Sequence, residues 1–207
     1  MPETRRFPGF PGKPAEQCLY LHFRGGASGG AVVASQYVGR ADRENGTSAA
    51  GQLLMITVLI SLISATVSIL FRSALLRGLF GRVEPEVMEA CMTYLVISAL
   101  SFPALAVYNS TSALLRSMNR TRTIMNVSFA MNIINVAGNA IGIFVLRAGV
   151  AGVAVPSLIS RTFAAAVMLA IAFRQDQILF LQWRQIFAWK GKMLGRILGI
   201  AIPNGVE

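Results

Sequence analysis

"NVSFAMNIINVAGNAIG", residues 126–142, places Asn126, Asn132, Asn135 and Asn139 in a run with no charged side chain. The uncharged stretch around it, Ile124 to Leu146, exceeds the about 20 residues that a helix needs to cross the hydrocarbon layer. Length and apolarity therefore give a membrane span. The asparagines then pose a problem, because hydrocarbon offers no partner for a side-chain amide.

Three further stretches share the pattern. Ala49 to Phe71 and Cys91 to Leu115 are free of charge, and Ala148 to Phe173 is interrupted only by Arg161. With 54% hydrophobic and only 14% charged residues, the chain has too little polar surface for a soluble fold of 207 residues. The fold class that follows is an all-α membrane protein, a polytopic helical bundle.

The net charge of +10 lies between the spans. Arg40, Arg43, Arg116, Arg120, Arg122, Arg174, Arg184, Lys190 and Lys192 fall on one side of an alternating topology, and Arg72, Arg77, Arg82 and Arg147 on the other. The richer side is expected to be cytoplasmic, in a cell (plasma or inner) membrane. No groove-reading motif or aromatic platform accompanies this charge, so no nucleic acid is expected as a partner. Cys18, Cys91 and the single His22 cannot build a metal site or a nucleophile–base pair, and an enzyme is not expected.

Residues 1–26 are rich in Pro, Gly and Arg without periodicity and form a tail. Ala27 to Gly39 is apolar but too short to cross, as half a span would be. Arg40 to Ser48 reads as a polar loop. "EPEV", Glu84 to Val87, reads as a helix start with its proline early, and Pro103 should kink the second full span. Ile178 to Lys190, with Trp183 and Trp189, reads as a helix in the cytoplasmic interface within a linker over 174–192. Residues 193–207 begin another apolar helix. Both ends are expected to be those of an incomplete protein.

Along the third full span, Ser128, Asn132, Asn135, Asn139 and Gly142 follow steps of 4, 3, 4 and 3, which is one helical stripe. Such a stripe faces other helices or water, and both readings stay open: helix–helix hydrogen bonding or the wall of a hydrated cavity. The second span adds Tyr108 to Ser112 past the proline, and the fourth adds Ser157, Ser160 and Arg161. All nine acidic residues lie in loops, ends or tails, Glu207 being the one possible exception, so Arg161 must find amides, carbonyls or a helix outside this chain.

Four segments together resemble the MATE family, the multidrug and toxic-compound extrusion antiporters. They are "GGAVVASQYVGRADRE" (Gly29 to Glu44), "EPEVMEACMTYL" (Glu84 to Leu95), "ALLRSMNRTRTIMNVSFAMNIINVAGNAIGIF" (Ala113 to Phe144) and "GVAGVAVPSLISR" (Gly149 to Arg161). The resemblance implies an incomplete N-terminal lobe of a twelve-helix fold, with residues 27–173 holding half of helix 2 and helices 3 to 6. Helix 1 and the C-lobe, which transport would need, are missing from it. It further implies a multidrug antiporter that exports organic cationic compounds by alternating access, with Na+ or H+ as coupling ion and no other cofactor. The bilayer and small drug-like molecules would be its partners.

By motif position, Asn109 resembles the helix 4 asparagine of the family cavity, Asn135 the helix 5 asparagine, and Ser157 stands where a threonine is common on helix 6. Asn132, Asn139 and Arg161 complete the expected cavity set, and Glu207 approximates a coupling acid on helix 7. The departure is Asn139, since many members carry an aspartate there and an amide takes up no proton. Two alternatives accompany this reading: a lipid-linked glycan flippase of the same wider fold, and a truncated membrane remnant without function.

Overall fold

A computed structural model describes residues 43–80 and 84–174, together with Leu181, Gln182, Ile186, Gly191 and Gly195. The expectations for residues 1–26, for the half span at 27–39, for most of the 174–192 linker, and for 193–207 with Glu207 lie outside the described residues.

The described chain is helical: α1 (Arg43–Leu70), α2 (Arg72–Phe80), α3 (Pro85–Leu100), α4 (Phe102–Ser117), α5 (Thr121–Ala140), a π-helical turn at Ile141–Val145, and α6 (Ala151–Ala172). Three of these are long and apolar enough to cross a membrane: Glu44–Leu70, Thr121–Val145 and Ala151–Ala172. The α3–α4 pair makes a fourth if its 41° bend lies within one span.

From Arg43 on, the polar segment before the first long span is helix and not loop. α1 starts at Arg43, and Thr47 and Ser48 are buried. Backbone hydrogen bonding does not stop where the sequence turns polar, and a helix end that packs on its neighbours is held by them. Elsewhere the local chemistry has the expected effect. Pro85 opens α3 behind Glu84, where its missing N–H costs no intrahelical bond.

The bend in the second span falls at Ser101, two residues ahead of Pro103. Pro103 cannot donate to Ala99, and its ring crowds that carbonyl, so α4 restarts with the proline in its first turn. Ser101 closes the break from both sides: its N–H donates to the Ser98 carbonyl at 3.0 Å and its carbonyl accepts from the Leu105 N–H at 2.9 Å.

Between α5 and α6 the chain reverses through Arg147 (φ 47°) and Gly149 (φ 56°). The Ala148 N–H reaches back six residues to the Gly142 carbonyl at 3.1 Å, one residue further than the long bond of a Schellman cap, as the preceding π-helical turn requires. This reversal lays α6 tightly along α5. A Cβ on Gly138 would stand 2.7 Å from Pro156 Cβ, and one on Gly142 would overlap the Gly152 carbonyl. Pro156, with no N–H of its own, leaves that carbonyl without its intrahelical donor. Gly138 and Gly142 form a G-x-x-x-G pair, and small residues of this spacing let helix backbones approach closely in lipid.

One core gathers Ala50 and Leu54 of α1, Leu114 and Leu115 of α4, Ile124 and Val127 of α5, and Met168 of α6. The start of α1, the end of α4, the start of α5 and the end of α6 therefore meet at one end of the bundle. Exposed Arg116, Arg120, Arg122 and Arg174 are at that end. Large apolar side chains cover the outer faces, with Ile63 64% exposed, Phe129 69% and Val136 68%, a surface suited to lipid.

Asn119 (φ 60°) forms the tight turn joining α4 to α5 and is exposed. In a variant whose native cysteines are replaced, Asn119→Cys should resist a membrane-impermeant maleimide in intact cells and react after permeabilisation, whereas Arg147→Cys should react in both. The opposite pattern would invert the orientation drawn from the arginines.

Candidate functional site

The polar side chains in the last third of α5 meet those in the first half of α6. Asn135 Nδ2 donates to Ser157 Oγ at 3.0 Å and, more weakly, to Ser160 Oγ at 3.4 Å. Asn139, one turn on, donates from Nδ2 to Asn135 Oδ1 at 3.2 Å. The two serines pass their own protons to backbone: Ser157 Oγ donates to the Val153 carbonyl and Ser160 Oγ to the Ser157 carbonyl, both at 3.1 Å. Ser160 is buried, whereas Asn135, Asn139 and Ser157 are half-buried at the rim of the helix contact. Asn139 Oδ1 is itself buried and has no partner among the described residues.

The close α5–α6 crossing positions this cluster. Short side chains at Gly138, Gly142 and Gly152 bring the helices near enough for an asparagine to span the gap to a serine hydroxyl. The sequence-expected residues then separate into groups. Asn135, Asn139 and Ser157 come together, joined by Ser160. Asn132 is exposed, on the side of α5 that also carries Phe129 and Val136.

Asn109 lies on α4, half-buried, with its Nδ2 buried and unpartnered among the described residues. Its neighbours behave otherwise, since Ser110 and Thr111 donate to carbonyls one turn back, at 2.8 Å to Ala106 and 2.6 Å to Val107. Glu207 is outside the described residues.

Arg161 follows a separate course. Its Nη1 donates at 2.7 Å to Ser101 Oγ, the hydroxyl at the α3–α4 break, and Ser101 Oγ donates in turn to the Ser98 carbonyl at 2.7 Å. A mid-membrane guanidinium is thus met by the one place in the second span where the backbone is interrupted. Sequence reasoning missed Ser101, and the only local signal was a serine two residues before a mid-span proline.

Removing this acceptor tests the contact. Ser101→Ala is expected to lower stability by about 1.5 kcal/mol, and Ser101→Ala with Arg161→Met by less than the sum of their separate losses. Additive losses in thermal unfolding of the single and double variants would show that the two side chains act independently.

Among the described residues no group of three His, Cys, Asp or Glu side chains could hold a metal ion. What this arrangement offers chemically is neutral oxygen and amide donors inside a span, suited to binding and release.

The MatE family profile matches residues 14–141. The chain belongs to the MatE family. This MatE chain is 30% identical over 185 residues to the "Uncharacterized transporter YisQ" of Bacillus subtilis (strain 168), covering 87% of the chain and 40% of that relative.

It also shares the fold of a multidrug resistance MATE family transporter of the MOP superfamily in two conformations. The inward-facing structure matches with a TM-score of 0.85 at 18% identity, over 93% of the chain and 43% of the transporter. The outward-facing structure matches with 0.86 at 18% identity, over 94% and 43%. The chain thus spans about two fifths of the length of these relatives. It is a multi-pass membrane protein of a transporter family, an all-α bundle equivalent to part of a MATE fold.

Proposed function

We propose that this MatE chain forms part of the N-terminal lobe of a cation-coupled antiporter, driven by Na+ or H+, that exports organic cationic compounds across a plasma or inner membrane. The carrying observation is the Asn135–Asn139–Ser157–Ser160 cluster, a set of polar side chains held at mid-span where lipid could not satisfy them.

Substrate and coupling ion would meet the lobe along the half-buried rim formed by Asn135, Asn139 and Ser157, with Asn109 and Asn132 on adjoining surfaces. Alternating access would come from rocking this lobe against the rest of a complete transporter. The near-equal likeness to an inward- and an outward-facing structure supports a lobe that moves as a body. Transport would need the remaining helices, a first helix and a second lobe.

A glycan flippase finds less support. Its phosphate cargo calls for several cationic side chains, whereas Arg161 is the one charged residue in the interior of the described spans, and it holds Ser101.

The test is export. The chain, co-expressed with the complementary segments of a MatE relative in a bacterial host stripped of efflux pumps, should lower the accumulation of a fluorescent organic cation. That effect should collapse when the sodium and proton gradients are dissipated. Accumulation that is indifferent to the chain would overturn the reading.

A further inference from the structure

The hydrogen bonds of the α5–α6 cluster run one way. Asn139 donates to Asn135, Asn135 donates to Ser157 and Ser160, and the serines donate to the backbone of α6. An asparagine amide can be arranged with either its oxygen or its nitrogen toward a given neighbour, so something must select the direction. Here both sides agree: the serines spend their protons on α6 carbonyls and so accept from Asn135, while Asn139 donates to it from the other side.

We propose that Asn139 is a positioning residue that fixes the Asn135 amide as a donor toward α6 and keeps the whole cluster free of titrating groups. In lending a proton to Asn135 Oδ1, Asn139 leaves Asn135 Nδ2 no role except toward the serines. The open end of the chain is then Asn139 Oδ1, an acceptor, buried and without a partner among the described residues. The cluster thus ends on an amide oxygen, which carries no titrating proton.

The surroundings add no titration at this depth. α6 carries Arg161 alone among charged residues, and it is bonded to Ser101. α4 carries Tyr108 and, in its last turn, Arg116. α5 carries Arg122 in its first turn, and the π-helical turn carries no titratable group. If the transport reading holds, a coupled proton binds outside this cluster, and the cluster serves a metal cation or an ammonium group through neutral oxygen.

The experiment uses the full chain in detergent micelles, following its thermal midpoint from pH 4 to pH 8. Asn139→Asp replaces the donor by a carboxyl. Protonated, that group can still donate to Asn135 Oδ1; ionised, it sets acceptor against acceptor. A carboxyl that keeps its proton in the folded chain and releases it on unfolding makes stability fall as pH rises above the unfolded value of about 3.9. All other carboxyl groups are common to both proteins, so the difference between variant and wild type is read.

That difference should be near zero at pH 4 and reach a loss of about 5 °C or more by pH 8. A difference that shrinks with rising pH would mean that Asn135 turns its nitrogen toward position 139, and it would overturn the proposal, as would a difference independent of pH.

A second measurement guards against a purely local effect. Asn139→Ala and Ser157→Ala should lower the midpoint by less together than the sum of their separate effects, because both act through the Asn135 amide. The shortfall should vanish in an Asn135→Leu background. Additivity in the native background contradicts the proposal. Neither measurement involves transport, so failure here and failure of the export reading are separable.

Discussion

Gly142→Leu is expected to abolish cooperative unfolding of the chain, and Gly142→Ala to destabilise it by about 3 kcal/mol. The reason is geometric. A Cβ at Gly142 overlaps the Gly152 carbonyl, and the obstacle is backbone, so no side-chain rotation relieves it. The helices would have to separate, and separation would pull Asn135 away from Ser157 and Ser160.

Gly78 in α2 gives the control. Nothing lies within 4 Å of a Cβ there, so Gly78→Ala should leave stability unchanged or raise it by about 0.5 kcal/mol. Thermal unfolding in detergent distinguishes the two positions, and equal responses would show that the α5–α6 crossing is looser than described.

Asn135→Leu is expected to act in the opposite manner, with a small effect on folding and a large one on transport. Interhelical hydrogen bonds within membranes contribute on the order of 0.6 kcal/mol each, and Ser157 and Ser160 keep their backbone partners when the amide is lost. The folded population should therefore persist. The side chain that links α5 to α6 at mid-span disappears, however, and with it the arrangement offered to substrate and ion. Losing one well-formed polar contact to a bound cation, about 1.4 kcal/mol or more, lowers binding at least about tenfold. Resistance conferred on a drug-sensitive host should fall toward that of the empty host, with membrane abundance unchanged. Resistance that survives would separate the cluster from transport.

Much of the architecture was legible because it follows from composition. Runs without charge define spans, the early proline of "EPEV" opens α3, and Pro103 breaks the second span. The pairing of Asn135 with Ser157 was partly legible, since a polar stripe inside a span must meet polar groups elsewhere.

Other features are tertiary and leave little local trace. The stripe on α5 is broader than its contact with α6, so Asn132 falls on the exposed side of a boundary that period alone cannot draw. Arg161 meets Ser101 only because a bend brings together residues sixty positions apart. The π-helical turn at Ile141–Val145 has no compositional signature. The early start of α1 escaped because a charged and polar segment can be helical as readily as a loop when its neighbours bury Thr47 and Ser48.

Proteoliposome flux is the most direct measure of the central claim that the Asn135 cluster forms part of a transport path. The chain, reconstituted with the complementary segments of a MatE relative, should release a fluorescent organic cation when a sodium or proton gradient is imposed. Asn135→Leu, matched for folded protein by its thermal midpoint, should reduce that rate at least about tenfold. A rate equal to wild type in the folded variant would contradict the account.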